Sequence, residues 1–244
     1  MYIKKNKKCY ILLTICCFFS VIPSLSQATG IFDTKHNFSS LAPPANIRAL
    51  NQDQVCIFCH TPHNAKPEYP LWNHELSAVV NYTNYWSETL QSYSNRAEAP
   101  PIDGFSKLCL SCHDGTIAIG AVRSRDEILM EPNPSLQAGR LISTAQGYLG
   151  TDLSGGHPIS IIYNESLAAR RNADTSLMQL KWPIVDRDVR LYPTQGGYGV
   201  QCSSCHDPHG SQGGLNAPPL WRKKTYDEVC LVCHDIVSPI PIGH

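Results

Sequence analysis

The chain has little charge, little methionine and no apolar run long enough to cross a membrane. Only 16% of its residues are Asp, Glu, Lys or Arg, and the two signs balance at 20 each. Nucleic-acid binding relies on a basic excess, and none is present. Of three methionines, one starts the chain and only Met130 and Met178 lie in its body. The longest apolar stretch, Cys9 to Ile22, is about 14 residues, short of the ~20 a spanning helix needs. It follows four lysines and precedes Ser24, Ser26 and Ala28, which is the layout of a secretory leader. Neither a phosphate-binding loop nor a catalytic triad motif is found. Long regular elements are also disfavoured, because 18 prolines, 16 glycines and turn signals such as EPNPS, LSGGHP and TQGGYG break up the weak periodicity.

Cleavage of the leader after Ser26 or Ala28 removes Cys9, Cys16 and Cys17 and leaves eight of eleven cysteines. All eight fall in one pattern, C-x-x-C-H, which occurs four times. The pairs are Cys56 and Cys59, Cys109 and Cys112, Cys202 and Cys205, Cys230 and Cys233; the histidines behind them are His60, His113, His206 and His234. This is the attachment signature of c-type haem, in which each thiol adds to a vinyl group and the adjoining histidine binds iron. Zinc knuckles, redox pairs and disulfides explain paired cysteines, but not a histidine behind every second one. The expected cofactors are therefore four covalently bound haems c, with those four histidines as proximal ligands. No cysteine is left for a structural disulfide or a free nucleophile. The leader and the haem count both place the mature chain outside the cytoplasm, in the periplasm or at the cell exterior. Loss of the four leader lysines leaves 16 basic against 20 acidic residues, a net charge of −4, and haem propionates add to it.

The two ends of the mature chain repeat each other. CIFCHTPHNAKPEYPLW (56–72) matches CSSCHDPHGSQGGLNAPPLW (202–221) in its C-x-x-C-H-x-P-H core and trailing Pro-Leu-Trp. Each copy is followed by a plain C-x-x-C-H and preceded by a lone histidine, His36 or His157. Each half thus offers four histidines for two haems, the full axial complement, with His36, His63, His157 and His209 as the distal candidates. His74 is a further distal candidate, since 14 residues separate it from His60 and that length can loop over a haem. His209 cannot serve the haem of His206. Extended chain spans at most ~3.6 Å per residue, too little over three residues to round a porphyrin about 10 Å across. The simplest recipient is the fourth haem, in the same half; a first-half recipient would interlock the halves.

The expected fold is mostly irregular, with short helices and a few short strands wrapped around four haems. It divides into a leader (1–28), an N-terminal dihaem half (29–122), a connecting segment (123–156) and a C-terminal dihaem half (157–244). IAIGAV (117–122), HPISIIY (157–163) and VRLY (189–192) have strand-like β-branched content. SLAARR (166–171) reads as one or two helical turns, and the Tyr- and Trp-rich segment 75–93 as packing for haem faces.

CIFCHTPHNA, PLWNHE, LCLSCHDGTIAIG, GGHPISIIY and VQCSSCHDPHG together resemble the exported tetrahaem members of the multihaem c-type cytochromes with doubled C-x-x-C-H motifs, a group that includes OmcE-like filament-forming extracellular cytochromes. The resemblance implies bis-histidine haems in close-packed pairs. It also implies electron exchange with redox partners, such as other cytochromes or a quinol-oxidising membrane complex, and self-association into a filament in some members. The expected function is electron carriage rather than enzymatic turnover. The competing reading is a reductase or peroxidase with one open-coordination haem; the histidine supply and the absence of C-x-x-C-K favour the carrier. The intact mass of the exported protein is expected to equal a chain starting at Gln27 or Thr29 plus four haems. Three haem masses, or a retained leader, would contradict the cysteine count.

Overall fold

A computed structural model describes residues 30–63, 65, 69–210 and 220–235. The leader expected at 1–28 and the terminal His244 lie outside the described residues. Among the described residues, no helix is long and apolar enough to cross a membrane.

Regular structure is short throughout, and much of it lies beside the C-x-x-C-H motifs. The first motif begins in a single 3-10 turn, Val55–Phe58. Helix α1 (Gly104–His113) ends on the second motif. A hairpin, β1 (Leu136–Gln137) and β2 (Arg140–Leu141), follows. Then come β3 (Ile161–Ile162), α2 (Glu165–Asn172), β4 (Gln179–Leu180), β5 (Tyr192–Thr194) and β6 (Gly197–Val200). The third motif is the single turn α3 (Cys202–Cys205), and the fourth ends α4 (Tyr226–Cys233), which runs into β7 (His234–Asp235). β6 lies between β3 and β5 in an antiparallel sheet, while β4 pairs with β7.

Local chemistry explains the helix starts. Thr225 caps α4, its hydroxyl accepting from the Glu228 amide while the Glu228 carboxylate accepts from the Thr225 amide. This reciprocal box satisfies two otherwise orphaned donors, and Asp227 and Glu228 favour the positive end of the helix dipole. Asn164 caps α2 through the Leu167 amide at 2.9 Å. The helix expected at 166–171 thus forms with one residue added at each end. Residues 117–122, by contrast, form no strand despite their β-branched content. The Gly120 carbonyl accepts from the Ile128 amide at 2.9 Å, and a Cβ on Gly120 would lie 1.8 Å from the Ile128 oxygen. Backbone crossing backbone at this distance makes a turn where β propensity alone suggested a strand.

Two apolar clusters form the core. Phe38, Ala49, Phe58, Ile119, Val122, Ile128, Leu141 and Ala145 make the first; Ile161, Tyr163, Leu167 and Val200 make the second. Ile128, Leu141 and Ala145 come from the connecting segment 123–156, which packs into the N-terminal cluster.

A buried polar staple ties α1 to the third motif. Gln201 is fully buried. Its Oε1 accepts from the Ser106 amide at 2.8 Å and its Nε2 donates to Asp103 Oδ1 at 3.0 Å. Ser106 Oγ in turn accepts from the Cys202 amide at 3.0 Å, and the Thr194 hydroxyl donates to Asp103 at 2.8 Å. A buried amide bonded at both ends fixes position more than it adds stability, but deleting it strands its partners. Gln201→Ala is expected to cost about 3 kcal/mol in denaturant unfolding of the haem-loaded protein. A loss below about 1 kcal/mol would show that the staple is not holding α1 to α3.

Candidate haem site

In every motif the two cysteines stand three residues apart, so on a helical turn both sulfurs face the same side. In the third and fourth motifs the histidine then leaves the helical path, His206 (φ −111°, ψ 143°) and His234 (φ −102°, ψ 141°) being extended residues at the ends of α3 and α4, whereas His113 is the last residue of α1. Both doubled motifs are closed by the same clamp. His60 bridges Trp72 and His206 bridges Trp221 in antiparallel pairing. The Thr61 and Asp207 amides donate to Leu71 and Leu220, and the Asn73 and Arg222 amides donate to Cys59 and Cys205. Leu71 (φ 67°) and Leu220 (φ 62°) share the left-handed conformation that turns the chain back. The repeated Leu-Trp, at 71–72 and 220–221, is therefore a strap laid over the motif histidine, a role its sequence does not announce.

The thiols of the four motifs are neighbours in chain order. Cys59 faces Cys112, Cys109 contacts Cys202, and Cys205 lies near Cys233 and Cys230. Desolvation pushes the Cys59, Cys112 and Cys205 thiols up to about 12, and contact with Cys202 together with burial holds Cys109 well above its ordinary value. Before any attachment these four thiols stay protonated at neutral pH, whereas Cys202 is shifted the other way by its hydrogen bond with Cys109.

Six histidine rings meet in three pairs. His36 and His113 have ring centres 5.9 Å apart, His60 and His209 6.1 Å, and His157 and His234 6.2 Å. The ring planes of the middle pair are nearly parallel, at 14°, whereas the others cross at 72° and 75°. His209 thus sits against the first motif, not the fourth, whose histidine is met by His157, and the two halves interlock there. His206 is stacked on Trp221 at 4.4 Å. The exposed His63 lines a cavity of about 570 Å³ beside Cys56 and His60, with its carbonyl accepting from the Thr61 hydroxyl at 2.6 Å. In both plain motifs the lone upstream histidine lies 77 residues before its ring partner. That equal spacing is a signal in the sequence that counting ligands passes over.

Residues 194–238, containing the third and fourth motifs, match the doubled CXXCH motif family. This stretch is a doubled CXXCH unit, consistent with a multihaem c-type cytochrome. No curated protein matched the chain.

The paired rings fit such a cofactor. Two imidazoles on opposite sides of one metal, each about 2 Å from it, place their ring centres about 6 Å apart. The rings are also in the right state. Burial, and then the neighbouring His113, hold His36 down at about 4, and burial followed by His157 does the same for His234. Both are neutral at pH 7 with a lone pair available. Two tautomers are fixed as well. The His113 Nδ1 faces the Gly147 carbonyl at 2.6 Å and the His157 Nδ1 faces the Pro158 carbonyl at 2.9 Å. A carbonyl only accepts, so Nδ1 carries the hydrogen and Nε2 is left for a metal. Gly147, at φ +86°, makes this approach possible, since a Cβ there would press on the His113 ring at 3.3 Å. Among the described residues, no group of three or more His, Cys, Asp and Glu side chains is arranged to hold a metal ion directly.

His74 is placed differently from the other candidates. It is buried, its Nδ1 lies 2.7 Å from the Glu75 carbonyl, and its Nε2 lies 3.1 Å from the Ala118 carbonyl and 3.4 Å from the Cys112 sulfur. A ring kept neutral by burial carries one N–H, so it donates to one of these two carbonyls and is only approached by the other, and in this way ties residues 73–75 to the turn after the second motif. His74→Ala is expected to add no high-spin haem signal by EPR while lowering stability by about 2–3 kcal/mol. A new high-spin signal would instead identify His74 as an axial ligand.

Proposed function

We propose that this protein is a four-haem c-type electron carrier that works outside the cytoplasm. The observation that carries the reading is the three histidine pairs at 5.9–6.2 Å, each uniting the histidine of a C-x-x-C-H motif with one from elsewhere in the chain. Bound haem supplies one-electron exchange at iron.

The residues of the chain do the rest. The eight motif cysteines would anchor the macrocycles as thioethers, and His60, His113, His206 and His234 would hold the iron from the motif side. His209, His36 and His157 would supply the second imidazole at the first, second and fourth sites. At these three sites an iron with two imidazoles would have no vacancy for a substrate, and without a methionine ligand its potential would be low. The nearness of Cys59 to Cys112 and of Cys205 to Cys233, and the hydrogen bond of Cys109 with Cys202, would bring the attachment edges of successive sites together in the order one, two, three, four. A carrier needs such a row, so that an electron accepted at one end can leave at the other to a partner redox protein. Desolvation holds His36, His60, His157 and His234 below the ordinary imidazole range, which lessens proton competition for the metal at these rings.

His209→Ala is expected to retain four thioether-bound haems while turning one low-spin haem high-spin, visible in low-temperature EPR. That haem should be the one on Cys56 and Cys59. Adding Cys56→Ser and Cys59→Ser, which removes this haem, should abolish the new signal. If the single variant stays fully low-spin, His209 is not a ligand. If the signal survives loss of the first haem, His209 serves another site.

A further inference from the structure

The histidines of the three pairs differ in what holds the nitrogen turned away from the partner ring. His113 and His157 donate Nδ1–H to backbone carbonyls, which are neutral acceptors. His209 has a carboxylate instead: its Nδ1 lies 3.2 Å from Asp207 Oδ1, an oxygen that also accepts from the His209 amide at 3.0 Å. The Asp207 side chain is only 9% exposed. Its backbone is fixed on both sides, the amide donating to Leu220 at 2.8 Å and the carbonyl accepting from Gly210 at 3.0 Å. The internal repeat supplies a built-in comparison. The residue matching Asp207 in the first half is Thr61, whose hydroxyl bonds to the His63 carbonyl and brings no charge.

We propose that Asp207 is a tuning residue for the first haem. By accepting the His209 Nδ1–H, it makes that imidazole a stronger electron donor and sets the His60–His209 site at the lowest potential of the three paired sites. The proposal rests on the reading that His60 and His209 share one iron. A carboxylate acceptor raises the basicity of a ligating imidazole more than a carbonyl does. A more basic axial ligand stabilises the ferric state over the ferrous state, so the potential falls. The acidic residue acts across the halves: it lies in the third motif's loop and tunes the haem attached by the first.

The haem-loaded protein carries a spectroscopic handle for this site. Nearly parallel imidazole planes give a rhombic low-spin EPR signal, and crossed planes give a strongly anisotropic one. The first haem, at 14°, is thereby told apart from those at 72° and 75°. In an EPR-monitored redox titration of the unmodified protein, the rhombic signal is expected to disappear at the lowest potential of the three. In Asp207→Asn, whose side-chain oxygen can still accept from the His209 amide, the first haem should stay low-spin. Its midpoint should rise by the equivalent of about tenfold in the ferric-to-ferrous ratio, about 59 mV for one electron, with the other haems unmoved. Asp207→Ala, which loses the turn as well, should raise it at least as far. An unchanged midpoint in Asp207→Asn, or a rhombic signal that titrates above the other two, would overturn the proposal. So would conversion of Asp207→Asn to high-spin, because that would make Asp207 a turn former only. A fully low-spin His209→Ala would instead defeat the shared-iron reading on which it rests.

Discussion

Desolvation penalises the imidazolium and so holds His36 and His234 neutral, each with its lone pair free, but neutrality alone does not bring two rings within 5.9–6.2 Å of each other across a gap. Each ring has to be held by a different part of the chain, and the short elements of this fold are distributed to do so. His36 is held in a loop where Asn46 donates to the Thr34 carbonyl at 3.0 Å and Asn37 to the Phe32 carbonyl at 2.8 Å. His113 closes α1 against Gly147. His234 is pinned where β7 pairs with β4, opposite Leu180, and His60 sits under its Trp72 strap. The polar staple at Gln201 then decides how the first-half rings meet the second-half ones, since it locks α1 against the third motif.

The apolar packing is modest by comparison. Clusters of eight and four buried residues are small for a chain of this length, and small cores leave a domain marginal. Large side chains such as Phe32, Leu71 and Val80 stand more than half exposed. Buried indole nitrogens on Trp72 and Trp86 have no hydrogen-bond partner among the described residues. Four macrocycles would bring their own apolar faces to this arrangement. In the proposed carrier the cofactors would then contribute to stability as well as to electron transfer.

Much of the site was legible in the sequence because its chemistry is local: two thiols and a histidine within five residues need no tertiary contact to be recognised. The pairing of His36 with His113 and of His157 with His234 was also encoded, in their equal 77-residue separations. The position of His209 beside His60 was not, because it depends on how α1 docks on α3, and the residues that decide this, Asp103, Ser106 and Gln201, are individually unremarkable polar residues. Chain reach excluded the motif of His206 but could not choose among the others, and the simplest choice, the fourth, is the one whose histidine is met by His157. The strand expected at 117–122 failed for a related reason. β-Branched residues favour a pleated surface only where a partner strand is present, and here the neighbouring chain crosses at Gly120 and Ile128 instead.

The repeat shows where the two halves were free to diverge. Two residues after each Pro-Leu-Trp, one half has His74 and the other Lys223. His74 reaches the carbonyls of Glu75 and Ala118; Lys223 reaches the carboxylates of Asp186 and Asp188 at 2.8 and 3.2 Å. Both side chains fasten the strap of the doubled motif to a neighbouring segment, one by hydrogen bonds in a buried setting and the other by a partly exposed ion pair. A fastening role tolerates that change of chemistry because any well-placed donor can perform it. The difference between Thr61 and Asp207 is of another kind. It changes the charge beside a ring that faces a motif histidine of the opposite half, so its effect falls on a site elsewhere in the chain. In the proposed carrier, divergence between the halves would keep the scaffold while making the sites unequal, and inequality between neighbouring sites is what a row of otherwise similar haems would require if electrons are to prefer one end.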